Sequence, residues 1–231
     1  MPAAPPTPIA TLERDDRDRD IVEVHAGIES YYTERVLTYG TTPPGVDWRC
    51  AADQELRFAQ LLAVCDFSQA FSLNDLGCGY AALWGYLADH YPGAEVDYMG
   101  IDLSGEMIAR AKRLWPPSHR LDCVVGHASP RVGDHSVASG IFNVKLDRPI
   151  DRWERFVART LIDLHATSQR GFAVNFMARE ASLPPPPEEL YCTSAEPWII
   201  FCQRELGASV ELRAGYGLRE FTLLVRPHSV R

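Results

Sequence analysis

From Asp20 onward the apolar positions follow two alternating periods. In IVEVHAGIESYYTERVLTYG they fall at Ile21, Val24, Ile28, Tyr32 and Val36, close to the helical repeat. Gly40 and the TTPPG after it end that helix. A second helix is predicted from Ala51 through Val64, where Leu56, Ala59, Leu61 and Leu62 are apolar and Arg57 and Gln60 interrupt them. Short apolar runs then alternate with helical stretches. Strands are expected at Ser72–Leu76, Glu95–Ile101, Leu121–Val125, Val137–Phe142 and Gly171–Phe176, and helices beginning near Ala81, Ser104, Asp151 and Ala195. This alternation predicts an α/β fold, a doubly wound, mostly parallel sheet covered on both faces. SVELRAGYGLREFTLLVR breaks the rhythm: two strands about a turn at Gly215–Gly217 predict an antiparallel C-terminal hairpin at a sheet edge.

The ends and loops complete this picture. Residues 1–19 combine Pro and Ala with ERDDRDR, which can bury almost nothing, so a disordered tail is expected. A helical segment over 20–66 and an α/β domain over 67–231 follow. LPPPPEE, residues 183–189, reads as a stiff extended connector.

Composition narrows the function. With 231 residues, 46% of them hydrophobic, the chain can bury one substantial core. A net charge of -8 argues against a phosphate-neutralising surface and hence against a nucleic-acid partner. The six cysteines form no CxxC pair, so neither a zinc site nor a redox motif is suggested; buried thiols in a reducing compartment are expected. MPAAPPTPIA lacks a basic start and a long apolar run, and no later stretch is apolar enough for a membrane span, so the expectation is a cytoplasmic protein without a membrane partner.

In a doubly wound sheet the ligand crevice lies at the carboxyl ends of the strands. There the first strand leads into NDLGCGYAAL, with Asp75 at the strand end, Gly77, Cys78 and Gly79 in the turn, and Ala81 and Ala82 opening a helix. Gly77, Gly79 and Ala82 also satisfy a relaxed dinucleotide pattern. Asp75 would repel a pyrophosphate but could receive an ammonium. In YMGIDLSGEMI, Asp102 ends the second strand where it can accept ribose hydroxyls, with Met107 and Ile108 placed to pack near an adenine. Together these favour S-adenosyl-L-methionine (SAM).

DLGCGYAAL followed by GIDLSGEMI resembles the first two motifs of class I SAM-dependent methyltransferases, over roughly residues 50–226. The resemblance implies a seven-stranded sheet with SAM across the first, second and fourth strand ends, held by Asp75, Gly77, Cys78, Gly79, Asp102, Leu103 and Met107. It also implies adenine contacts from His127 and Ala128. Two departures stand out: Ala81 replaces a common third glycine, and His127 a common aspartate.

VDWRCAADQELRF resembles the lid segment of small bacterial methyltransferases. Trp48 would then face the sulfonium and Arg57 the methionine carboxylate, with Tyr32 in the same lid. A core tryptophan and tyrosine and a solvated arginine are the alternative. The fourth strand would deliver Phe142 to the crevice floor and Asn143 to the acceptor, and Tyr191 is a further pocket candidate; as structural roles, Asn143 could cap a loop and Tyr191 pack the core. Asn175, polar within a buried strand, needs a partner, either loop backbone or substrate. No histidine has an evident partner, and no metal site is expected.

The function expected is methyl transfer to nitrogen or oxygen of a small molecule, by a monomer or homodimer. Two alternatives stay open: an intramolecular cyclase of the azetidine-2-carboxylate synthase type releasing methylthioadenosine, and a non-catalytic SAM-binding subunit.

Overall fold

The computed structural model describes residues 14–116, 118–179 and 185–228. Helix α1 (Arg14–Tyr39), a 3-10 turn (Pro43–Val46) and α2 (Ala51–Leu62) precede the sheet. Then come β1 (Phe71–Leu76), α3 (Ala82–His90), β2 (Val96–Asp102), α4 (Gly105–Leu114), β3 (Leu121–Val125), β4 (Gly133–Ala138), α5 (Ile150–Ala166) and β5 (Ser168–Ala178). A two-residue strand β6 (Cys192–Thr193), α6 (Ala195–Glu205), β7 (Ala208–Ala214) and β8 (Glu220–Pro227) finish the chain.

The strand order is β3-β2-β1-β4-β5-β8-β7, with β6 paired to β5. β1 to β5 run parallel and β8 antiparallel to β5 and β7. The order reverses between β2-β1 and β4, which places a crevice at the carboxyl ends of those strands. The doubly wound sheet and the terminal hairpin are as expected; β6 makes eight strands where seven were expected. It is a short parallel addition from the connector that follows β5.

α1 begins at Arg14, within the segment 1–19 set apart as a tail, while residues 1–13 lie outside the described residues. One expectation is corrected. The fourth strand spans Gly133–Ala138 rather than Val137–Phe142. Its polar residues are tolerated because they find partners: Asp134 accepts from the Ser72 N–H and hydroxyl at 2.8 and 2.9 Å, and Ser136 bonds Ser168 at 2.7 Å. The apolar run after it turns at Gly140, whose φ of +73° ends the strand.

One face of the sheet packs on α5, α6 and part of α1 through Trp153, Phe176, Trp198 and their neighbours. The other packs on α2, α3 and α4 through Phe58, Leu61, Leu83 and Ile108. α1 buries Val24, Ile28 and Val36, three of the five positions its period selected, with Ile21 and Tyr32 half-buried, so the segment before the sheet lies against the crevice.

Candidate active site

The glycine turn after β1 is shaped by what a side chain would strike. Gly77 and Gly79 have φ of +75° and +56°. A Cβ on Gly77 would run into the Ile141 side chain, and one on Gly79 would lie 2.9 Å from Val46 Cγ1. The N–H groups of Gly77 and Cys78 donate to the Ile101 carbonyl at 2.7 and 3.0 Å. That of Gly79 donates to Asp102 Oδ2, and that of Ser104 to Asp102 Oδ1, both at 2.8 Å. The Asp102 carboxylate is thus fixed while each oxygen keeps a lone pair for a ligand. Ala81, where a third glycine is common, itself takes φ +58° and is fully buried, storing about 1 kcal/mol of backbone strain.

Two carboxylates beside the glycine turn face the crevice without a cation. Asp75 is buried and accepts from the Tyr98 hydroxyl. Burial pushes its pKa up to about 7, against the Tyr98 hydrogen bond and with help from the Asp102 charge. Asp102 is pushed up to about 6, again by burial, opposed by the Ser104 and Gly79 N–H groups. Neither is paired with lysine or arginine among the described residues. A buried acid left in this state gains from a cationic ligand.

The segment before the sheet forms the roof. α1 supplies His25, Ile28, Glu29 and Tyr32. Burial raises the Tyr32 pKa strongly and keeps its phenol protonated. The His25 ring lies 5.0 Å from that of His127 and 5.6 Å, edge-on, from Phe156. Burial and the neighbouring His127 pull the His25 pKa down to about 4. Trp48 leans on Gly140 so closely that a Cβ there would strike the indole.

The expected carboxylate clamp, Arg57, is engaged elsewhere. Its guanidinium grips Glu220 at 2.6 to 2.9 Å and donates to the Asp53 carbonyl at 2.8 Å. Glu220 accepts from Asn175 Nδ2 at 3.0 Å, and Asn175 Oδ1 accepts the Gly140 N–H at 2.7 Å. Arg57 therefore braces the roof instead of lining the cleft, and Asn175 finds its partner in loop backbone.

The cleft, together with the open solvent at its mouth, comprises about 950 Å³. Tyr32, Trp48, Asp75, Gly77, Cys78, Gly79, Asp102, Leu103, Met107 and His127 line it, whereas Arg57, Ala128, Phe142, Asn143 and Tyr191 do not. Phe142 is displaced because β4 ends early; it is fully buried and stacks on Phe176 at 5.0 Å. Asn143 accepts the Tyr191 N–H at 2.8 Å through its main-chain carbonyl. The Tyr191 hydroxyl donates to Glu154 at 3.1 Å, while Asn143 Oδ1 is buried without a hydrogen-bond partner.

The structure adds lining residues that sequence reasoning missed: His25, Glu29, Gln54 and Ser139. Ser139 Oγ is buried without a hydrogen-bond partner, which leaves it free for a ligand. His25, Glu29 and Tyr32 share a helix face with Ile28, a spacing that could have revealed them. No spacing signal would have revealed Ser139 or Glu220. Among the described residues no three His, Cys, Asp or Glu side chains are grouped to hold a metal, and no helix is long and apolar enough to cross a membrane.

Sheet order, terminal hairpin and glycine turn define the Rossmann-like methyltransferase fold. Solved structures agree. The magnesium protoporphyrin IX methyltransferase of Synechocystis PCC 6803, with bound SAH, superposes with a TM-score of 0.52 at 15% identity over 94% of this chain and 89% of that one. Human N-acetylserotonin methyltransferase, in complex with SAM, gives 0.55 at 15% identity over 91% of this chain and 67% of that one. No protein-family profile matches the chain. The "Putative methyltransferase Rv1506c" of Mycobacterium tuberculosis is 39% identical over 170 residues, 73% of this chain and all of that protein. The chain belongs to this methyltransferase family and carries the Rossmann-like fold.

Proposed function

We propose that the protein transfers the methyl group of SAM to nitrogen or oxygen of a small-molecule acceptor. The observation that carries this reading is the pair of cation-free carboxylates, buried Asp75 and half-buried Asp102, on either side of the positive-φ glycine turn. The SAM and SAH bound to the two solved neighbours support the same cofactor here. Bound SAM supplies a methyl group activated by its sulfonium.

The chain's own residues then bind, orient and exclude water. Asp75 receives the ammonium of the amino-acid moiety, and its proton leaves when that charge arrives. Asp102 accepts the ribose hydroxyls with its remaining lone pairs, while Leu103, Met107 and His127 pack about the adenine. Trp48 and Tyr32 present aromatic faces suited to a sulfonium. The methionine carboxylate has no arginine in the lining; Gln54 offers it a side-chain amide, the Gly77, Cys78 and Gly79 N–H groups being already engaged. Displacement at a methyl carbon needs an aligned nucleophile in a dry pocket more than a dedicated base. Ser139, with its free hydroxyl, is the polar group offered to the acceptor. The little sequence inserted beyond the core suits a compact acceptor.

The test is incubation of the full chain with SAM, with and without a panel of amines and phenols, resolving products by mass. S-adenosylhomocysteine formed only with an acceptor supports the reading. Methylthioadenosine released without one overturns it in favour of intramolecular cyclisation.

A further inference from the structure

Cys78 occupies the middle of the glycine turn and lines the cleft. Cys123 lies on β3, buried, two strands away from β1. Between them β2 carries Gly100, paired across the sheet with Cys123. Because Gly100 has no side chain, both sulfurs move into the space it leaves: a Cβ there would be 2.9 Å from Cys78 Sγ and 3.0 Å from Cys123 Sγ. The Cys78 thiol donates to the Gly79 carbonyl at 3.5 Å. The remaining cysteines, Cys50, Cys65, Cys192 and Cys202, are free and are not part of this pair.

We propose that Cys78 and Cys123 form a reversible disulfide that disables the cofactor turn under oxidation. The geometry gives the pair a route and a consequence. Peroxide can reach Cys78 through the cleft, whereas Cys123 is reachable only behind it. A sulfur of the pair attacks one peroxide oxygen, forming an S–O bond as the O–O bond breaks, and the departing hydroxide leaves as water with the thiol proton. The second sulfur then attacks the first, forming the S–S bond and expelling the hydroxyl as a second water. Two thiols are oxidised to one disulfide and one hydrogen peroxide is reduced to two waters. Burial pushes the Cys78 thiol well up, while the neighbouring Cys78 lowers the Cys123 thiol, so Cys123 is the attacking sulfur of the exchange step.

The consequence follows from what Cys78 anchors. Its N–H and that of Gly77 hold the turn to Ile101, and the adjacent Gly79 N–H orients Asp102. Drawing Cys78 across Gly100 toward β3 pulls on all three. Thiol reductants restore the turn. The cross-link itself stands on the sulfur geometry; its effect on SAM rests on the function proposed above.

The full chain is treated with hydrogen peroxide, digested without reduction and mapped by mass, alongside S-adenosylhomocysteine calorimetry before oxidation, after it and after dithiothreitol. The expected results are a peptide joining Cys78 to Cys123 that is lighter by two hydrogens, a tenfold or greater loss of affinity, and recovery on reduction. Saturating S-adenosylhomocysteine should slow cross-linking several-fold. Cys123→Ser should bind the nucleoside when reduced and keep its affinity through a brief mild exposure to peroxide. Overoxidation of Cys78 without a joined peptide, or joining of other cysteines first, overturns the disulfide. A joined peptide with unchanged affinity overturns the switch. Absence of any binding before oxidation would count against the cofactor reading, and the peptide map would still decide the disulfide.

Discussion

The guanidinium of Arg57 lies 3.9 Å from the centre of the Trp48 ring while its nitrogens clasp Glu220. A cation that a ligand could have used is thereby spent on holding the roof, and the chain Arg57, Glu220, Asn175, Gly140 ties α2 and β8 to the turn beneath Trp48.

Removing one partner of this buried pair should leave an uncompensated charge. Arg57→Ala and Glu220→Ala are each expected to cost about 3–5 kcal/mol, read as a lower urea midpoint. Arg57→Lys keeps the charge but loses the fork and should fall between. If Arg57 instead held the methionine carboxylate, Arg57→Lys would leave stability nearly intact and weaken S-adenosylhomocysteine binding alone.

Asp75 gives a pH dependence of definite sign. Its folded pKa of about 7 lies above its ordinary 3.8, so the folded chain keeps a proton that the unfolded chain has released. Stability therefore falls as pH rises from about 4 to about 7 and is flat above. Asp75→Asn removes the penalty and should melt higher near pH 8, by a few kcal/mol at most, one pKa unit being about 1.4 kcal/mol. The same variant should bind S-adenosylhomocysteine far more weakly. In the parent, affinity should climb toward about pH 7 as the carboxylate ionises, and Asp75→Asn should flatten that climb. A variant less stable near pH 8 would contradict the assignment.

Much of this architecture was legible because its signals are local. The alternation of periods yielded the layers, and an acid before two glycines yielded the crevice: Asp75, Gly77, Gly79 and Asp102 all line it. What was not legible depends on contacts distant in sequence. Arg57 and Glu220 are far apart in the chain, so the arginine looked free. The run VASGIF looked like a strand, but the left-handed turn at Gly140 ends β4 early and carries Phe142 into the core and Asn143 behind the cleft. His25 had no partner in sequence until α1 brought it against His127.

The glycine turn should tolerate no side chain at its first position. Gly77→Ala would force a left-handed φ on alanine, costing about 1–2 kcal/mol, and would also displace Ile141. S-adenosylhomocysteine affinity is expected to drop tenfold or more. Gly93 supplies the control, since a Cβ there meets nothing within 4 Å. Gly93→Ala should change the unfolding free energy by no more than about 0.5 kcal/mol and leave affinity alone; equal losses at both positions would remove the special status of Gly77.

His25 should set the acid limb of stability with the opposite sign to Asp75. Burial and His127 hold its folded pKa near 4, below the ordinary 6.5, so between these values the unfolded chain binds a proton that the folded chain refuses. Stability contributed by the neutral ring is present above about pH 6.5 and lost as pH falls toward 4. Asp75 and Asp102 titrate over part of the same range in the other direction, so the comparison must be between parent and variant. His25→Gln keeps a polar side chain that cannot take up the proton. The stability difference between the two proteins should shift in favour of the variant by about 1–2 kcal/mol on going from pH 7 to pH 4, allowing for the ring's partial exposure. Parallel melting curves across that range would mean that the imidazole is as well solvated folded as unfolded, and that α1 does not close over the cleft at His25.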